Sequence, residues 1–283
     1  MSLILAPLRG VTIRCFRETF AAEIAAAGFT EAVTPFIAAL PGLDPLKDRE
    51  LRPSGASATP LVVTPQFIGK DPAALRACLR RVKDAGFGTA DLNCGCPFPM
   101  VRNKGRGSGI LRTPDVLRQM VEVGCETMGP GRFSVKARLG VERPDELLAL
   151  MPMLNAFPLR FLTVHARTAR QMYEGACDWC AVEAVEAVAR MPVVRNGDQP
   201  LAAPAGRDVM VGRPFVRALG ARPDAAALAL RYLEASRAEL CGDRPVLGRM
   251  KELLAYWKDL PAWRDVWRVI KLCRTLDELR QIF

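Results

Sequence analysis

The feature that most restricts this chain is a regular alternation of short β-type runs with helical segments over its first three quarters. Residues 3–7 (LILAP) precede a helix-like stretch, 15–27, closed by Gly28. Residues 31–36 lead into a Pro- and Gly-punctuated loop, 41–60. Residues 61–67 (LVVTPQF) lead into helix-like 71–84, where Asp71 is placed to cap and Pro72 to fill the first turn. The pattern repeats at 90–93 with 113–127, at 133–138 with 144–155, and at 161–165 with 179–189; runs 193–195 and 209–211 complete eight strands. Strands alternating with helices predict a parallel sheet, and eight such units predict an α/β fold, the (β/α)8 TIM barrel. One unit is abnormal. Twelve residues separate Arg195 from Asp208, and they include Pro200 and Pro204. That length barely allows a crossover, so the seventh β/α unit is predicted to be shortened, its helix truncated or missing.

After about residue 222 no strand signal remains. Val246, Met250, Leu253, Leu254 and Trp257 form one helical apolar stripe, and Trp263, Val266, Trp267 and Ile270 form another. On the second, Arg264, Arg268 and Lys271 share a face. The predicted organisation is a barrel over residues 1–222 and a small all-α helical domain over 223–283.

Composition narrows the class. Half the residues are apolar, which excludes a mostly disordered chain and supplies a core. No apolar run approaches the roughly 20 residues needed to span a bilayer, so no membrane association is expected. The N-terminus, MSLILAPLRG, shows no basic leader, and nine cysteines then point to free thiols in a reducing, cytoplasmic setting. The single histidine excludes mechanisms needing two imidazoles. Forty basic against 30 acidic residues leave 40 − 30 = +10, which points to a polyanionic partner such as nucleic acid. An excess of 32 Arg over 8 Lys is also how a GC-rich genome writes any protein. Residues 213–283 carry 14 basic and 9 acidic side chains, so half the surplus sits in the last quarter.

In a barrel of this kind the active site lies at the C-terminal strand ends. Polar and special residues gather there: Pro7 to Arg9, Gln66, Asn93 to Pro97, Lys136 with Arg138, His165 with Arg167, and Asn196 to Asp198. Lys136, inside an apolar strand pattern, must meet an anion, a ligand dipole or a neighbouring carboxylate. Gly212 and Arg213 follow the eighth strand, where barrels build phosphate sites. Cys94 and Cys96 offer a loop thiol to the barrel mouth, while CGC and CDWC (177–180) together offer four thiols to zinc. No metal is expected, because structural zinc favours small Gly-rich knuckles. Cys15, Cys78, Cys125, Cys241 and Cys273 read as buried helical residues. Gly105, Gly107 and Gly109 lack the strand and the Lys-Ser/Thr ending of a phosphate loop and read as hinges of a mobile catalytic loop.

The motifs DLNCGCP (91–97), VRNKGRGSGIL, SVKARLG, LTVHARTARQMYEG, PVVRNGD and VMVGR together resemble, in order and spacing, the tRNA-dihydrouridine synthases. The resemblance covers residues 3–215, and in GRMKELLAYWKD and WRVIKLCRTL it extends to the C subclass, which acts on uridine 16 of tRNA. It implies an FMN-binding barrel, NADPH as reductant and tRNA as partner; separately, the chain is expected to act as a monomer. FMN would lie against Pro7, Leu8 and Arg9, with Gln66 and Lys136 on the ring edge. His165, Asn196, Gly197, Asp198, Gly212 and Arg213 would surround its ribityl phosphate. Reduced flavin would pass hydride to C6 of uracil, and Cys96 would protonate C5. Asn93, Arg167 and Tyr173 would meet the extruded base, while Arg249, Lys251 and Lys258 would grip tRNA phosphates. Leu8 stands where the family has Met, Arg9 replaces a small or acidic residue, a subclass cation is absent near Ala38, and the 196–212 segment is short. Two other readings fit parts of the sequence: an FMN barrel acting on a free pyrimidine, and a non-catalytic tRNA-binding barrel.

Overall fold

The computed structural model describes residues 2–52, 61–201 and 206–283, and its strands form one all-parallel sheet. They are β1 (Leu3–Leu5), β2 (Glu31–Val33), β3 (Ile37–Ala38), β4 (Val62–Thr64), β5 (Gln66–Ile68), β6 (Ala90–Cys94), β7 (Phe133–Arg138), β8 (Leu162–His165), β9 (Val193–Asn196) and β10 (Val209–Val211). β4 and β5 are one extended run divided at Pro65, whose nitrogen has no proton for a ladder. β4 pairs with β2, β5 pairs with β6, and β10 pairs with β1. Taken as one strand, β4 and β5 therefore close a ring of eight, the predicted barrel. β3 is an additional short strand beside β5.

The helices α1 (Arg14–Thr19), α2 (Ala21–Ala26), α3 (Pro72–Asp84), α4 (Pro99–Arg102), α5 (Pro114–Met128), α6 (Glu146–Leu154), α7 (Trp179–Val188) and α8 (Arg213–Gly220) accompany the strands. The single helix expected over 15–27 breaks at Phe20, whose backbone leaves the helical region. Asp71 caps α3 as expected, accepting from the amides of Ala73 and Ala74 at 2.9 and 3.2 Å. Among the described residues no helix lies between Asn196 and Val209, in keeping with the short seventh unit. Pro204 and loop residues 53–60 lie outside the described residues.

Side chains alternate along the strands. Leu92, Cys94, Val135 and Ala137 face outward into the helix-packed core, while Ile4, Ala6, Val33, Phe161, Val194 and Met210 form a separate apolar layer. The polar residues Gln66, Asp91, Asn93, Ser134 and His165 occupy the other phase of their strands and are buried too.

The tail comprises α9 (Ala225–Glu239), α10 (Asp243–Leu254), α11 (Arg264–Ile270) and α12 (Leu276–Arg280). One apolar cluster joins Phe16, Phe20, Val211 and Phe215 of the barrel to Tyr232, Met250, Trp257 and Trp263 of the tail. The indoles of Trp257 and Trp263 donate to the carbonyls of Val216 and Gly220 at 2.7 and 2.8 Å. A Cβ at Gly220 would collide with the Trp257 ring. Gly220→Val is therefore expected to cost about 1–3 kcal/mol by overpacking this seam, read as a lower Tm in a thermal melt. Cys241, expected inside a helix, is instead exposed between α9 and α10, and Cys273 is buried but follows α11.

Candidate functional site

The C-terminal strand ends surround a cavity of about 760 Å3, a size suited to a cofactor or base. β1 leads into Pro7, Leu8 and Arg9; β5 supplies Gln66; β6 supplies Asn93 and, just beyond it, Cys96; β7 supplies Lys136 and Arg138. His165, Asn196, Gly197 and Asp198, Gly212 and Arg213 line it from β8, β9 and β10. All these residues were expected there except Arg138, noted at its strand end without a role.

Lys136 is partly buried, and its ammonium donates to Asn196 Oδ1 at 2.9 Å. The Asn196 amide is turned for this by its own bond to the Met210 carbonyl, at 2.8 Å. Among the described residues no carboxylate lies within ion-pair distance of Lys136, so the ion-pair alternative does not hold. Burial and the Arg138 cation bring its pKa down to about 8. His165 is driven well below the usual imidazole range by burial, with Arg138, Lys136, Arg167 and Arg213 adding to the effect. It is a neutral ring.

The two strand-end thiols are not equivalent. Cys94 is wholly buried in the outer core, whereas Cys96 lines the cavity. Burial raises the Cys96 pKa above the ordinary thiol value, against the lowering effect of nearby Arg138, Arg9 and Lys136. Its thiol is therefore protonated at neutral pH. Its carbonyl accepts from Ser108 N and Oγ at 3.0 and 2.9 Å. Gly107 (φ +57°) packs so closely that a Cβ there would sit 2.8 Å from that of Cys96. Gly107 and Gly109, expected as hinge residues, lie in a 3-10 turn over Gly107–Arg112 whose first five residues are buried beside Cys96.

Tyr173 stands at the rim, with the guanidiniums of Arg138 and Arg213 5.2 and 5.4 Å from its ring centroid. The preceding Met172 adopts left-handed backbone (φ 53°), a costly geometry, and its carbonyl accepts from Arg138 at 2.6 Å. That bond holds the turn presenting the ring. Asp198 pairs with both Arg167 and Arg213, and these cations help to hold its carboxyl below the usual range. Among the described residues no three metal-ligating side chains converge, so the four thiols of CGC and CDWC form no cluster.

Residues 4–213 match the family model described as dihydrouridine synthase. The chain belongs to the dihydrouridine synthase family. A probable tRNA-dihydrouridine synthase of Rhodobacter capsulatus is 32% identical over 225 residues, covering 75% of this chain and 66% of that protein. The tRNA-dihydrouridine(16) synthase of Ralstonia nicotianae is 30% identical, over 76% of this chain and 69% of its own length. That of Pseudomonas putida is 28% identical over 95% of this chain and 81% of its own. The chain thus spans about two thirds or more of these relatives. The fold resembles an old yellow enzyme homologue from Zymomonas mobilis, with TM-score 0.53 and 13% identity, over 76% of this chain and 85% of that one.

Several residues that the dihydrouridine synthase motifs suggested as substrate contacts have partners within the chain. Arg167 is buried behind the cavity, holding the carbonyls of Glu174 and Gly175 and the carboxylate of Asp198. Arg249 is tied to Glu239 at 2.5 Å, and Lys251 donates to the carbonyls of Lys271 and Cys273 at 3.0 and 2.6 Å. Both cations are half-buried and have partners within the tail. Lys258 remains exposed. Conversely, Phe36, Glu252 and Tyr256 line the cavity without having been singled out. Glu252 and Tyr256 sit four residues apart, opposite the apolar stripe, and in the sequence look like a solvated helix face.

Proposed function

We propose that the chain is a flavin-dependent reductase of uridine in tRNA, acting as a monomer at position 16 and using FMN and NADPH. The observation that carries this reading is a thiol, Cys96, and a partly buried ammonium without a carboxylate partner, Lys136, on one cavity at the barrel mouth. The Lys136 ammonium uses one of its three protons on Asn196, so it suits the electron-rich edge of an isoalloxazine ring. Gln66 keeps one N–H beyond its bond to Asp91, which suits a ring carbonyl. His165, Asn196, Gly212 and Arg213 would hold the ribityl phosphate, with Asp198 setting the Arg213 side chain. When bound and reduced by NADPH, FMN supplies hydride to C6 of the uracil ring.

The chain's own residues supply the rest. Cys96 holds the proton destined for C5, and burial keeps it on sulfur. Tyr173, braced by two guanidiniums, supports the base once it leaves its stack. Lys258, with the exposed Arg264, Arg268 and Lys271 of the tail, meets the phosphates.

Protein loaded with FMN and given NADPH should form dihydrouridine at position 16 of a tRNA that lacks it. Nucleoside mass spectrometry reads the product and mapping reads its position. Protein that binds no FMN, or reduces free pyrimidines without tRNA, would refute the reading.

A further inference from the structure

Asp91 is a buried carboxylate that the chemistry above leaves unused. It precedes Asn93 by two residues on β6 and shares its face of the sheet. Its Oδ2 accepts from Ser134 Oγ at 2.6 Å, and its Oδ1 accepts from Gln66 Nε2 at 2.7 Å. Gln66 Oε1 accepts from Asn93 Nδ2 at 2.7 Å. Asn93 Oδ1 accepts from the backbone N–H groups of Gly95 and Cys96 at 3.2 and 2.9 Å.

The two ends of this chain are chemically fixed. An ionised carboxylate can only accept, and a backbone N–H can only donate. The two amides between them satisfy both ends in a single orientation, so their direction follows from chemistry rather than from the assignment of oxygen and nitrogen. We propose that Asp91 is a positioning residue whose charge sets the Gln66 and Asn93 amides and so holds the Cys96 backbone where its thiol faces the cavity. It acts through others and touches no reacting atom. The activity readout rests on the tRNA-uridine reductase reading, while the structural readout does not.

Asparagine at position 91 can donate as well as accept, so the direction is then held from the backbone end alone and the reversed chain becomes a competing minor state. Reversed, Asn93 turns its NH2 group towards the Gly95 and Cys96 amides, donor against donor. Protonation of Asp91 opens the same reversal. Burial brings its pKa up to about 6, and Ser134, Gln66 and Lys136 act in the opposite direction. The charged groups facing it are Lys136 on β7 and Glu31 on β2, the latter paired with Arg160 at 2.7 Å.

Hydrogen exchange by mass spectrometry on the full-length chain tests this. In Asp91→Asn at pH 7 the Gly95 and Cys96 amides are expected to exchange about tenfold faster, with the β7 amides unchanged. In the wild type the same amides should lose protection, after correction for intrinsic rates, as pH falls through about 6; the variant should show no such step. With tRNA, the variant should lose about tenfold or more in kcat at unchanged KM. Wild-type exchange in the variant, or no pH step in the wild type, overturns the proposal. If the variant fails to fold, the wild-type pH series decides alone. A wild type that forms no dihydrouridine refutes the functional reading, and the exchange experiment still tests Asp91.

Discussion

Cys96→Ala is expected to lower dihydrouridine formation by about 10^2- to 10^4-fold, the range for loss of a general acid, while NADPH still reduces the bound flavin. The thiol lines the cavity and burial keeps it protonated, so under the proposed function its removal takes away the proton donor and little else. Cys94→Ala should differ sharply. Cys94 is wholly buried among the outer core residues, so its replacement should cost stability and leave the chemistry intact. Single-turnover dihydrouridine counts, set beside flavin bleaching by NADPH, separate the two steps. Loss of flavin bleaching in Cys96→Ala as well would mean the thiol has another role. The pH dependence has a definite sign. Because the Cys96 pKa is raised, the wild-type rate should hold through neutral pH and fall only as pH passes above the ordinary thiol range.

Lys136→Met should separate stability from activity in opposite directions. A buried charge without an anionic partner destabilises a fold, so an apolar side chain of similar length should leave the ligand-free protein as stable or more so. The sign follows from proton binding. With Lys136 lowered to about 8 in the folded chain, the unfolded chain binds more protons above that pH. Wild-type stability should therefore rise as pH increases from about 8 towards the ordinary lysine value, and the variant should lack this rise. Activity should go the other way. Flavin retention should fall, and NADPH oxidation should drop by about 100-fold or more, as expected when a preorganised cation is removed. Calorimetry against pH and absorbance of the purified protein read the two effects independently. A variant that stays yellow and active would remove Lys136 from the cofactor site.

The sequence was most informative where local pattern and chemistry agree. Eight strand signals, the Asp71 cap and a short seventh unit, without a helix among its described residues, were all legible, since each depends on spacing over a few residues. Lys136 was legible because a lysine in an apolar strand pattern has few ways to be stable. The tail cations were less legible for the converse reason. Arg249 and Lys251 look solvated along their own helix, but their partners are Glu239, Lys271 and Cys273, which lie in other parts of the tail. The glycine stretch was ambiguous for a similar reason. Positive φ fits a hinge or a tight packing site equally well, and only the structure shows the Cys96 Cβ packed against Gly107.

By itself the sequence determined the barrel, the strand ends that carry polar residues, and the family whose motifs lie there. Period-two alternation and short connections leave a parallel strand little freedom, so these follow from local rules. Local pattern left the Cys94–Cys96 pair open, the family motifs pointed to Cys96, and the tertiary structure puts that thiol on the cavity. It also decided that Arg167 stands behind the site and that Glu252 and Tyr256 of the tail line it. The reason is physical. A helix or loop face is defined by what packs against it, and that neighbour comes from a distant part of the chain.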